Sequence, residues 1–357
     1  MMLSTTLGLL SLAFAAAATP IHPDGGEGLN GTANYVVLSD YDFQSLNLAL
    51  QQEYLELYLF HQGLATFSAQ QYADDGLTAA DLHLIEHMAN QEVGHSTMIT
   101  DILGPHRAAK PCNYSFPFNT VQEFFDLSRK VTRVGESGVF GFLQHLNSRP
   151  AGQLLGQAIA TESRQQQIFR QYQGLFPQPF WFIPAITQSM TWTLQAPYLT
   201  SCPSSNPQVE WQIFPTLNVT NAPNPNVLSD GSIPRPAIST NRTTISVEGQ
   251  QIRLAWDSPG KNVGPDLAYT TTSMAGEPKF VAWISQLNLT YTPLTNVSGN
   301  TGVTTQPGGE IYGNNTFSTV NGTVFLLVTD SDLFVTPYNL SMIEPHIVAG
   351  PALYTVD

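Results

Sequence analysis

Glu92-Val93-Gly94-His95 sets a carboxylate and an imidazole three residues apart, a spacing that puts both on one face of an α-helix. Helical bundles that hold two metal ions in their core use this pair on two helices and a lone Glu on each of the other two. The rest of the N-terminal half reads as the remaining parts. Upstream, Asp40 or Asp42 caps a helix running to about Ser68; Leu46, Leu48, Ala49, Leu55, Leu59 and Phe60 form its apolar face, with Glu53 and Glu56 among them. A loop follows through Asp74-Asp75-Gly76, then Thr78 and Asp81 open the helix that carries Glu92 and His95, and Gly104-Pro105 closes it. A third helix, capped by Asn119 with Gln122 three residues on, runs to about Asn147 and has Glu136 as its central acid. Ser148-Arg149-Pro150 begins a fourth that ends at Gly174; it offers Glu162-Ser163-Arg164-Gln165, the same spacing with an amide where the second imidazole would stand.

A charge inside an apolar helix face is costly unless it is paired or coordinated. The central glutamates therefore either converge on metal, pair with Arg164, Arg133 or Lys130, or face solvent. The other histidines read as ordinary: His61 two turns beyond Glu53, the i,i+4 pair His83 and His87 on a solvated face, and His145 and His346 with no partners evident in the sequence. Ser137 lies in Gly135-Glu136-Ser137-Gly138, which is not the nucleophile elbow of a hydrolase, and no Gly-rich phosphate loop is present. The aromatics Phe180-Trp181-Phe182 and Trp192 read as packing residues rather than a sugar platform.

After Cys202 the composition changes. Residues 203–236 are rich in Pro, Asn and Ser and read as linker; short β-type runs follow at 244–247, 252–256, 280–284, 287–291 and 324–328. The expectation is an α+β chain, a four-helix bundle followed by an antiparallel β-sandwich. Its divisions are a signal peptide at 1–18, a leader at 19–39, the helical domain at 40–202, the linker at 203–236 and the sandwich at 237–357. The apolar run before Ala15 to Ala18, followed by small residues, is the signal-peptide pattern. Asn-x-Ser/Thr sequons begin at Asn30, Asn113, Asn218, Asn241, Asn288, Asn296, Asn314, Asn321 and Asn339. Only 11% of residues are charged, against a usual share of about 25%, and sugar would supply the missing surface polarity. In an oxidising compartment Cys112 and Cys202 are expected to pair rather than remain two buried thiols. A net charge of -14 argues against nucleic acid as a partner. No second apolar span or lipid-anchor tail is visible, so no transmembrane anchor is expected, and the protein reads as secreted, extracellular or wall-associated.

The stretch 46–56 resembles the opening helix of the ferritin-like family that includes plant desiccation-related proteins. The strings Arg133-Val134-Gly135-Glu136-Ser137-Gly138-Val139-Phe140-Gly141-Phe142-Leu143, 160–170 and Gly174-Leu175-Phe176-Pro177 are similar to its fungal secreted branch, described as stress-response and late-sexual-development proteins. The likeness continues through 283–288 and 336–340, so it spans nearly the whole mature chain. By that resemblance the bundle is ferritin-like, and the metal ligands are Glu53 or Glu56, Glu92, His95 and Glu162, with iron or manganese as the ion. Two positions depart from the pattern. Gln165 replaces His and is a poor ligand for iron. The acid of the third helix falls near Thr132, which leaves Glu136 to substitute from one turn away. The resemblance thus implies a degenerate two-metal site on a scaffold that binds wall polysaccharide or an extracellular protein. The rival expectation is a di-iron or di-manganese oxidase, ferroxidase or peroxide-consuming enzyme.

Overall fold

The computed structural model describes residues 34–240, 242–309 and 320–356. The signal-peptide segment, the leader up to residue 33, and Asn30, Asn241 and Asn314 lie outside the described residues. Helices come first: α1 (Asp40–Thr66), α2 (Ala69–Asp74), α3 (Ala79–Leu103), α4 (Val121–Leu143), α5 (Arg149–Tyr172) and α6 (Gln188–Gln195). Helix α1 packs on α3 and α4, and α5 on α4 and α3, which closes a four-helix bundle. The helices end where the local chemistry directs. Thr78 and Asp81 form a capping box at α3, and Gly104 follows its last residue.

Two caps differ from expectation. Ser39, not Asp40 or Asp42, caps α1, its hydroxyl accepting from the Asp42 N–H at 3.1 Å. Thr120, not Asn119, caps α4, because this register lets the Glu123 carboxylate accept from the Asn119 N–H at 2.7 Å while Glu123 N–H donates to Thr120. Asp42 is fully buried, and its carboxylate accepts from Leu38, Asn147 and Ser148 N–H groups at 3.1, 2.8 and 3.0 Å. It thereby caps α5 from a distance; Ser148 makes no side-chain cap of its own. Asp42→Ala strands those donors and is expected to lower the unfolding free energy by about 3 kcal/mol. Urea denaturation checks this, and a loss below about 1 kcal/mol would mean that water replaces the carboxylate.

Helix α6 has no counterpart in the sequence reading. Its Gln188, Ser189, Thr191, Thr193 and Gln195 are polar yet buried, so it shows no apolar period. It lies against a glycine stripe on α4: a Cβ on Gly138 would stand 2.6 Å from Thr191 Oγ1, and one on Gly141 would strike the Ile186 carbonyl. Ile186 N–H donates to the Ser137 carbonyl at 3.0 Å across the same approach.

The β part begins inside the bundle's loops. The two-stranded ribbon of β1 (Asn113–Tyr114) and β2 (Leu199–Ser201) carries the Cys112–Cys202 disulfide at its base. Then come β3 (Leu217–Val219), β4 (Gln251–Trp256), the pair β5 (Asn262–Val263) and β6 (Tyr269–Thr270), β7 (Phe280–Ser285), β8 (Asn288–Pro293), β9 (Thr295–Ser298), β10 (Thr301–Thr305), β11 (Gly322–Thr329) and β12 (Ile347–Val356). Two four-stranded sheets result, β3-β4-β10-β9 and β12-β11-β7-β8, with antiparallel neighbours throughout. Strand β3 falls within the Pro/Asn-rich stretch read as linker, whereas 244–247, read as a strand, is irregular with a bend at 245–246 and pairs with no strand among the described residues. The sheets enclose Leu217, Ile252, Leu254, Trp256, Val281, Trp283, Val324, Leu326, Val328 and Tyr354. The other face of the second sheet, with Ala282, Ile284, Phe325 and Leu327, packs on Val134, Ile186 and Met190 of the helical part. Being covered on both sides, β11 is buried at every residue and reads as an unbroken apolar run rather than an alternation.

Candidate metal centre

Each ligand-type residue reaches the bundle interior from a helix whose apolar stripe surrounds it. Glu53 on α1, Glu92 and His95 on α3, and Glu162 on α5 each offer an atom, and these atoms all lie within 4.8 Å of one another. His95 Nδ1 is 3.0 Å from Glu92 Oε2, 3.1 Å from Glu53 Oε2 and 3.9 Å from Glu162 Oε1. Its Nε2 lies 3.0 Å from Thr161 Oγ1, whose own proton goes to the Ala158 carbonyl at 2.7 Å. The hydroxyl can therefore only accept from Nε2–H, which fixes the imidazole with Nδ1 turned to the carboxylates. A ligating histidine is held by such an outer partner.

The electrostatics of the cluster are strained. Burial pushes Glu53 up to about 7 against the hydrogen bond and charge of His95. Burial, reinforced by the neighbouring acids, drives Glu56 and Glu162 well above the usual carboxylate range. Burial alone would lower His95, but hydrogen bonds to Glu53 and Glu92 raise it to about 11. One imidazole stands among several sealed carboxylates. Glu162 Oε2 and Gln165 Oε1 are buried with no hydrogen-bond partner among the described residues. Orphaned oxygens beside an oriented imidazole are compatible with a hard divalent cation, which Glu53, Glu92, His95 and Glu162 would hold.

The remaining predicted ligands sit differently. Glu56 is buried beside the cluster, but its oxygens are occupied: Gln52 Nε2 donates to Oε1 at 2.6 Å and Thr132 Oγ1 to Oε2 at 3.2 Å. Gly135 makes this placement possible, since a Cβ there would stand 2.8 Å from Glu56 Oε1. Gln165 turns its amide nitrogen to Glu92 Oε1 at 2.5 Å and to Gln91 Oε1 at 3.2 Å. Glu136 is outside the four-residue group and pairs with Arg133 at 2.9 Å, one turn back on α4. Burial raises its pKa and the Arg133 charge opposes that rise. Neutral donors from Gln52 and Thr132 thus occupy both oxygens of Glu56, and Gln165 donates to Glu92. His61, His83, His87 and Arg164 are exposed.

The ferritin-like domain pattern matches residues 41–175. Protein rds1 of Schizosaccharomyces pombe is 46% identical over 343 residues, covering 93% of this chain and 85% of that protein. The chain belongs to the ferritin-like family. The match to the relative runs through the sandwich as well as the bundle, and the α+β architecture agrees with the sequence reading. The cluster sits within the matched stretch on α1, α3 and α5. Sequence reasoning did not single out Gln52, Thr161 or Gly135. Gln52 lies one helical turn before Glu56 and Thr161 lies next to Glu162, so adjacency to a ligand was the available signal. Nothing in composition marks Gly135 as the floor beneath a carboxylate. Among the described residues no helix is long and apolar enough to cross a membrane.

Proposed function

We propose that this is a secreted ferritin-like protein whose bundle binds one divalent iron or manganese ion and which serves as a scaffold or binding protein, not as a two-metal oxidase. The observation that carries the reading is the asymmetry of the site. One half presents Glu53, Glu92, His95 and Glu162 with an oxygen unpartnered among the described residues; the other half has both oxygens of its carboxylate, Glu56, taken by the donors of Gln52 and Thr132. An ion at the first half would supply Lewis acidity and one-electron redox capacity. The chain's own part is to hold it: His95 is oriented by Thr161, and Glu92 is steadied by Gln165. The apolar N-terminus and the density of sequons support a location outside the cell. The resemblance to stress-response and late-sexual-development proteins supports a role in stress or development. The sandwich is the part assigned to wall polysaccharide or an extracellular protein partner.

The test is metal content per chain, measured on protein purified without chelator and again after reconstitution. One iron or manganese per chain is expected, and none in Glu92→Ala. Restoring the missing ligands with Gln165→His and Thr132→Glu should move the figure toward two. Two ions per wild-type chain, with turnover of dioxygen or peroxide, would replace this reading by the oxidase.

A further inference from the structure

The outer sheet β3-β4-β10-β9 presents an unusual surface. Its four strands contain one charged residue, Arg253. Asn218, Ala255 and Thr301 lie in register across β3, β4 and β10 on the face away from the core, where Asn218 and Thr301 are exposed. Strand β9 is exposed at all of its residues, including Val297. Natural proteins protect such surfaces and their terminal strands with charge, because open, neutral strands recruit other chains. Here Arg253 is the one charge those strands carry. Two sequons lie on the two terminal strands: Asn218-Val219-Thr220 on β3 and Asn296-Val297-Ser298 on β9. Both asparagines are exposed, as are Thr220 and Ser298.

Asn321-Gly322-Thr323 is the opposite case. The Asn321 amide nitrogen donates to the Pro179 carbonyl at 2.8 Å. Thr323 is sealed, its hydroxyl accepting from Arg129 at 2.5 Å. Gly322 touches the Phe180 ring so closely that even a Cβ would collide with it. The nitrogen that would carry the sugar is thus turned to the Pro179 carbonyl, and the other two residues of the sequon are sealed against Arg129 and Phe180.

We infer that N-linked oligosaccharide at Asn218 and Asn296 covers the outer sheet of the sandwich and keeps copies of the chain from pairing through it, while Asn321 stays bare. The inference rests on the secreted reading above and specifies its sugar sites.

The experiment uses the full chain secreted from a glycosylating eukaryotic host, with glycopeptide mapping by mass spectrometry. Sugar at Asn218 and Asn296 and none at Asn321 is expected. The folded glycoprotein is then trimmed with an endoglycosidase, which bypasses any folding defect of a variant, and its mass in solution is measured by light scattering. Asn218→Gln/Asn296→Gln is compared with Asn339→Gln. Trimming and the double substitution should each shift the protein from one chain mass to concentration-dependent multiples, and Asn339→Gln should not. Sugar elsewhere with Asn218 and Asn296 bare overturns the inference alone. So does an occupied Asn321, or a trimmed protein that stays at one chain mass. No sugar at any sequon overturns the secreted reading and the inference together.

Discussion

The metal-free protein is expected to lose stability as pH rises from 5 to 8, and a bound divalent ion is expected to cancel that loss. The sign follows from the buried acids. Glu53 ionises at about 7 in the fold against 4.5 when unfolded, and Glu56 and Glu162 ionise well above 4.5. His95 keeps its proton up to about 11 against 6.5. In every case the native state binds more protons than the unfolded one, so the stabilising contribution is complete below pH 4.5 and declines above it. The slope is about 1.4 kcal/mol per pH unit for each proton held in excess. The carboxylates act from 4.5 upward, and His95 adds to the decline above 6.5. A cation reverses this, because it binds the ionised carboxylates and competes with their protons. At a hundredfold excess over its dissociation constant it adds about 2.7 kcal/mol, and the gain should be larger at pH 8 than at pH 5. Glu162→Gln separates binding from folding. It keeps the shape and removes one buried ionisable group, so at pH 8 the metal-free variant should gain on the order of 1 kcal/mol. It should also lose most of the metal-dependent gain. Calorimetry at pH 5, 6.5 and 8, with and without manganese(II), reads all of these. If the acids were merely members of surface ion pairs, stability would rise with pH through the carboxylate range and Glu162→Gln would be neutral.

The helices and the core of the site were legible because they rest on short-range chemistry. The Thr78–Asp81 capping box, Gly104 and the Glu92/His95 spacing are each complete within a few residues. What escaped depends on partners far along the chain. Polar helix α6 is stable only because the α4 glycines admit it and a sheet lies behind it, so no window of its own sequence shows a helical stripe. Thr244-Ile245-Ser246-Val247 alternates as a strand should, yet among the described residues no strand offers it a ladder. Strand β12 has no counterpart in the sequence reading; Gly350-Pro351 interrupts its apolar run, although the strand continues through both. Glu136 and Glu162 look alike from sequence, each an acid near the centre of its helix. Only the packing shows that one faces Arg133 and the other His95. Ion pair and metal ligand are therefore indistinguishable at the level of sequence, and in the structure Glu136 takes the ion pair while Glu162 lies in the Glu53, Glu92 and His95 group.

Arg129→Met is expected to be the most destabilising single change outside the apolar core, lowering the unfolding free energy by about 3–5 kcal/mol. Arg129 is fully buried on α4 and spends its guanidinium on partners from several elements. Its Nε donates to Gln173 Oε1 at 2.7 Å, and its terminal nitrogens donate to Asp126 at 2.6 Å, Thr323 at 2.5 Å and Thr355 at 3.1 Å. Thr323 and Thr355 belong to β11 and β12, so this one side chain joins the bundle to the inner sheet. Methionine fills much of the volume and satisfies none of these groups; each stranded acceptor loses a charge-assisted bond. Burial tends to raise the Asp126 pKa, and Lys130 and Arg129 together outweigh it, so the acid remains ionised and depends on both. Arg129→Lys should recover little, because one ammonium cannot span acceptors that a planar fork reaches on several sides. Arg164→Met, at an exposed position on α5, is the control and should stay within about 0.5 kcal/mol of wild type. The loss should also reach the metal centre. The Arg129 carbonyl accepts from Gln166 Nε2 at 2.7 Å, one helical turn from Glu162, so loosening α4 there frees α5 where it presents its ligand. Denaturant unfolding together with manganese titration reads both effects. A variant that unfolds within 1 kcal/mol of wild type and binds metal unchanged would show that Arg129 does not hold the two halves together.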